Sequence, residues 1–160
     1  MPNQSASEVH VLRSRIESAF LRASQLKDLD SEVQADFAKY LCILVSGYVE
    51  TAVRTISIAH CRRRAQPTVY NFAAKQLEKQ QNLKPEKLIQ AIALFNGDWG
   101  NDLRKFMTGS RWDALASVVS LRNALAHGQS VPTTFAQIRS YYSEIDQIVK
   151  FLENKLTPLD

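Results

Sequence analysis

The stretch SEVQADFAKYLCILVSGYVETAVRTISIAHCRR, residues 31–63, decides the fold. Its apolar residues Phe37, Leu41, Leu44, Val45, Tyr48, Val49, Ala52, Val53 and Ile56 recur three and four apart, the period of one helix face. Ser31 and Gln34 have capping-box spacing, and Pro67 lies beyond the other end, so one long helix is expected from Ser31 to about Arg63. An interior glycine costs roughly 1 kcal/mol relative to alanine. Gly47 therefore reads as either a close helix–helix crossing or a break.

Working outward, apolar residues Val11, Ile16, Ala19, Phe20 and Ala23 put a helix over about Glu8–Leu26, with Asp28–Ser31 as its break. Downstream, Val69–Gln80 reads as a short helix and Pro85 as the first residue of another, ending near Phe95. Asn96, Gly97, Asp98 and Gly100 read as a turn cluster before a short helix over Asp102–Met107. Ser110 with Asp113 then caps a helix carrying Leu115, Val118, Val119, Leu121 and Leu125, with Gly128 at the position that ends it. Thr134 with Gln137 caps the last helix, through Ile138, Tyr141, Ile145, Ile148, Val149 and Leu152. The expected fold is all-α, a bundle of four to five main helices with an irregular helical insert at about 66–110. A single domain is expected over 1–160, with its core at about 7–156.

Composition agrees with that reading. The 160 residues are 45% hydrophobic and 22% charged, a mix that suits a globular core, and only 5 Gly and 5 Pro interrupt them. No apolar run reaches the roughly 18 residues of a membrane span, since the longest, Leu41–Val45, stops at Ser46 and Gly47. Residues 1–7 lack the pattern of a secretion signal, so no membrane association is expected. Cys42 and Cys61 share the long helix too far apart for a disulfide, which points to the cytoplasm. The net charge of +4 permits a polyanionic partner without requiring one.

Chemistry concentrates in Leu121-Arg122-Asn123-Ala124-Leu125-Ala126-His127-Gly128. Once Val118, Leu121 and Leu125 face a core, Arg122, Asn123 and His127 remain as the polar residues at the helix end. An imidazole that titrates near neutrality can take a proton from a ribose 2′-OH, and a permanently charged guanidinium can hold the phosphate as charge builds. No cofactor and no metal is expected for such a scheme. On a straight helix Arg122 and His127 stand roughly 140° apart around the axis. They converge only if the helix end distorts, if the arginine wraps back, or if a two-fold dimer brings a second copy into the same cleft.

Arg122-Asn123-x-x-x-His127 resembles the R-x4-6-H motif of the HEPN superfamily, near the C-terminal end of a helix in a helical bundle. Leu44–Arg54, with Glu50, is similar to that family's long earlier helix, and the combination most resembles the RiboL-PSP-HEPN type across about Ser7–Leu156. The resemblance implies a metal-independent endoribonuclease in which His127 is the general base or acid and Arg122 stabilises the scissile phosphate. It further implies that Asn123 sets the cleft and that Glu50 pairs with Arg122 or positions it. RNA as substrate, a homodimer with both motifs facing one cleft, an antitoxin protein as partner and a role as toxin or antiphage effector are implied in the same way. The alternative is a catalytically inactive HEPN-like module that binds a partner protein or RNA.

Plainer readings stand beside these. His127 also suits a helix C-terminus as a simple cap, and Glu50 with Arg54, at i and i+4, suits an intrahelical ion pair. Arg54, Arg62, Arg63 and Arg64 are candidate RNA contacts, the last three equally a solvated helix end. Trp99 and Trp112 are expected to pack, Cys42 and Cys61 to be small apolar residues, and His60 to share the helix surface.

Overall fold

A computed structural model describes residues 4–157. The chain forms α1 (Gln4–Ser24), α2 (Ser31–Arg64), α3 (Pro67–Leu77), α4 (Pro85–Ala93), α5 (Gly97–Phe106), α6 (Ser110–Ala126) and α7 (Phe135–Leu156), with no strand among the described residues. The fold is all-α, as its periodicity predicts. The four long helices are α1, α2, α6 and α7, and the segment expected to be irregular consists of three short helices.

α2 is the spine. At about 1.5 Å per residue its 34 residues run about 51 Å without a break. It packs against α1, α3, α6 and α7, while α7 also packs on α6, and α4 on α5. Leu41, Val45, Val49, Ala52 and Ile56 of α2 are all buried in one continuous core that also takes in Ile16 and Phe20 of α1, Leu115 and Val118 of α6, and Ile138, Ile145 and Ile148 of α7. The insert belongs to this core through Leu83, Leu88, Ile92 and Leu103. An 18-residue window of α2 has mean hydropathy 1.4, enough by length and composition to cross a membrane, yet 56% of it is buried inside the protein. Those apolar side chains are the core itself.

Local capping chemistry departs from expectation at three places. α2 is capped by Asp30, whose carboxylate accepts from Glu32 N, while the Gln34 amide reaches back to the Lys27 and Leu29 carbonyls. The Asn96–Gly100 cluster is the first turn of α5: Asn96 is its cap, accepting from Asp98 N and Trp99 N. A Cβ at Gly100 would lie 2.6 Å from the Ala93 Cβ, so α4 and α5 approach too closely here for any side chain. Gly47 is neither a crossing nor a break; it is exposed and a Cβ there would meet nothing within 4 Å. α6 starts from Gly109 (φ 61°) with no side-chain cap, whereas Thr134 caps α7 through Gln137 N as its spacing predicts.

Two buried polar arrangements lock the long helices together. Asp146 of α7 accepts from Tyr48 OH of α2 at 2.6 Å and from Arg13 Nε of α1 at 2.7 Å, and Lys150 pairs with its other oxygen at 2.8 Å. Burial by itself would raise the Asp146 pKa; the bonds from Lys150, Tyr48 and Arg13 outweigh it and leave the carboxyl below its ordinary value. His60 is not on the helix surface. It is buried, edge-on to Phe95 and Trp99, with Nδ1 donating to the Leu156 carbonyl at 2.9 Å. Trp99 and Trp112 pack against the core, and Cys42 is a buried free thiol that burial pushes up to about 11.

Burial, with help from Arg64 and Arg63, holds the His60 pKa below its ordinary 6.5 despite the opposing bond to Leu156. The unfolded chain therefore binds a proton near pH 6.5 that the folded chain does not, and stability must fall as pH drops through that value. Asp146, depressed below 3.8, adds a second loss at still lower pH. Thermal melts should show a lower Tm at pH 5.5 than at pH 7.5, and His60→Asn, whose amide can donate to the same carbonyl, should flatten that slope.

Candidate functional site

α6 buries Leu115, Val118 and Val119, and Leu121 and Leu125 pack on the core half-buried. That facing leaves Arg122 and Asn123 on the flank of the helix. The helix closes in a Schellman motif: Gly128 N donates to Leu125 O at 3.1 Å and Gln129 N to Ala124 O at 3.0 Å. Gly128 takes the left-handed conformation this requires (φ 72°), as its position in the sequence predicts. His127 is the capping residue just outside the helix (φ −91°, ψ 12°), with its imidazole exposed and without a hydrogen-bond partner among the described residues.

The α3–α4 connection meets α6 here. Leu83 is buried and anchors the loop, and the residue before it, Asn82, turns left-handed at φ 53°. Glu50, half-buried on α2, fixes that turn by accepting Asn82 N at 2.8 Å. Asn82 presents its side-chain oxygen to Arg122 Nη1 at 3.4 Å, and Asn123 presents its own at 3.3 Å. Guanidinium has no acceptor, so both amides must offer oxygen. Both bonds are long for N–H···O, and they hold only one edge of the group. Among the described residues, the Nε and Nη2 donors of Arg122 have no protein partner.

Arg122, Asn123 and Glu50 thus come together, with Asn82 as the link between Glu50 and Arg122. Glu50 does not pair with Arg122 directly, because its carboxylate is spent on a backbone amide. Nor does it pair with Arg54. Arg54 instead turns into a groove between α1 and α2 beside Glu8, Arg62 and Arg63, its Nε buried and unpartnered. No hydrogen bond joins Arg122 to His127 within one protomer. Asn82 carries no signal of its role in the sequence. An asparagine in a polar loop is a plausible left-handed residue, but nothing in the sequence says that a side chain forty positions later meets it.

The C-terminal arginines of α2 divide. Arg62 donates to Tyr70 OH at 3.0 Å and sits over that ring, Arg63 donates to the Leu156 carbonyl at 3.0 Å, and Arg64 is exposed. Among the described residues no group of three or more His, Cys, Asp or Glu side chains is placed to hold a metal ion.

Comparison with known proteins gives one match. The family model described as RiboL-PSP-HEPN aligns with residues 12–158. Neither the curated proteins nor the solved structures yield a match.

The Glu50–Asn82 lock makes a separable prediction about the loop. Asn82→Gly suits the left-handed backbone and should change stability by only a few tenths of a kcal/mol, whereas the β-branched Asn82→Val should cost about 1–2 kcal/mol. Urea titrations of the two variants measure the difference; equal costs would contradict the assigned backbone.

Proposed function

Because the chain belongs to the RiboL-PSP-HEPN family, we propose that it is a metal-independent endoribonuclease whose reacting groups are Arg122 and His127. The observation that carries this reading is the half-engaged guanidinium. Asn82 and Asn123 hold Nη1 of Arg122, and the Nε–Nη2 edge is left open, the pair of parallel donors that matches two phosphate oxygens. The exposed imidazole of His127, the residue that caps α6, lies about one and a half helical turns beyond it.

The chemistry follows from those two groups. His127 takes the proton of a ribose 2′-OH, the 2′-oxygen attacks the adjacent phosphorus, and the bond to the 5′-oxygen breaks. The products are a 2′,3′-cyclic phosphate and a 5′-hydroxyl, with the departing oxygen protonated by an imidazolium. Arg122 stabilises the charge that gathers on the non-bridging oxygens. Glu50 acts at one remove, holding Asn82 so that Asn82 can orient Arg122.

A homodimer with both motifs in one cleft suits this scheme. It would set the His127 of a second copy opposite the first, so that one imidazole accepts the proton and the other supplies it. On the same reading the protein works in the cytoplasm as a toxin or antiphage effector, restrained by an antitoxin protein. The alternative, a silent HEPN-like module that binds protein or RNA, is favoured by one observation: His127 and Arg122 make no contact within a protomer.

Cleavage of a fluorogenic RNA separates the two. His127→Ala should lower the rate by about 10²–10⁴-fold with Tm nearly unchanged, since the imidazole is exposed and unbonded. Arg122→Lys should also be strongly impaired, because a point charge cannot replace the fork. Equal rates in wild type and His127→Ala would leave only the silent module.

A further inference from the structure

The chain's positive charge is confined. Residues 62–87 hold seven Lys and Arg against two Glu, a net +5, so the remainder of the chain is net −1 within a total of +4. Of the two acids, Glu86 pairs with Arg104 at 2.6 Å, and Glu78 lies 3.9 Å from Lys75 in an exposed pair that a phosphate would replace. This segment comprises the end of α2, all of α3, the loop that carries Asn82 and the first residues of α4.

Its path leads to the site. Arg62 on α2 bonds Tyr70 near the start of α3, and Glu50 bonds Asn82 just beyond the end of α3. α3 therefore runs back along α2, and Arg62 and Glu50 mark the ends of a strip about 18 Å long at the helical rise. The outward face of α3 carries Phe72, 68% exposed, and Val69, 57% exposed, one helical turn apart. Lys75 and Gln76 continue that face, and Lys79 stands just past the helix end, all exposed. Phe72 takes no part in the core.

We propose that this face of α3 is a binding track for single-stranded RNA, which stacks a base on Phe72, seats its phosphates on Lys75, Lys79 and the arginines at the end of α2, and leads the strand to Arg122. The proposal rests on the ribonuclease reading for its destination. A lone aromatic ring framed by cations suits a base and its neighbouring phosphates. A protein-docking patch is expected to show several hundred Å² of contiguous apolar surface, and here two side chains are set among charges. The strand must be single because bases within a duplex already stack on each other and offer no free face to Phe72.

The test uses a labelled single-stranded RNA of mixed sequence with 2′-O-methyl riboses, which binds but cannot be cut by attack of a 2′-OH. The whole protein should bind it more tightly than the matching duplex. Phe72→Ala should weaken binding by about fivefold or more. Lys75→Ala with Lys79→Ala should flatten the dependence of log K on log salt by about 1.4, at roughly 0.7 per phosphate contact. Undiminished binding by Phe72→Ala, or equal affinity for the duplex, overturns the track. So does a Phe72→Ala protein that changes oligomeric state by light scattering without losing RNA affinity, which would assign the face to protein contact. If the track variants lose binding as expected but the all-ribose strand is cut equally by wild type and His127→Ala, the track stands and the ribonuclease reading fails.

Discussion

A helix of 34 residues whose apolar side chains cover much of its circumference has to be enclosed, and the enclosure of α2 determines the rest of the molecule. α1, α6 and α7 each bury a face against it, and α3 returns along another. Burial of its Leu, Ile and Val side chains contributes about 1.5–3 kcal/mol each, so no other element rivals it as an organiser. The polar ties follow the same axis. Tyr48 of α2 reaches Asp146 of α7, which also holds Arg13 of α1, and His60 of α2 holds the last carbonyl of α7. Removing the Asp146 carboxylate would leave the buried Tyr48 hydroxyl without its acceptor, which makes this tie a constraint on how α2 and α7 dock.

The same helix gives the site its rigidity. Glu50 leaves the bundle surface only far enough to hold the backbone of Asn82, and Asn82 in turn meets Arg122 on α6. The arginine is oriented by two neutral amides, with no carboxylate directly on it. A salt bridge would have engaged the fork and competed with a phosphate for it; amides orient the group while leaving its charge available. His127 takes its place from a different cause, the Schellman closure at Gly128, which stops α6 one residue short of it and leaves the imidazole exposed at the corner. Arg122 and His127 are thus positioned independently, one by a loop and one by a helix end.

Helix periodicity made the architecture legible, because a 3.6-residue apolar repeat is a property of each segment alone. The spacing of Thr134 with Gln137 and the glycine at 128 were legible for the same reason: caps are local. Where spacing alone misleads, a competing local interaction decides. Asp30 outcompeted Ser31 as a cap, and Asn96 turned a cluster of turn-formers into the first turn of α5. The i, i+4 spacing of Glu50 and Arg54 suggests an ion pair, but the backbone amide of Asn82, 32 positions further along the chain, takes the carboxylate. Tertiary links of that kind, together with the burial of His60 and the Asp146 cluster, depend on which helix faces meet. A one-dimensional pattern does not carry that information.

The identity of the severed ends is the most direct test of a phosphodiester mechanism built on an imidazole and a guanidinium. Mass spectrometry of an all-ribose oligonucleotide, digested by the purified protein in excess EDTA, should show 2′,3′-cyclic phosphate on the upstream fragment and 5′-hydroxyl on the downstream one. Fragments ending in 3′-hydroxyl and 5′-phosphate, or cleavage that ceases on chelation, would contradict the account.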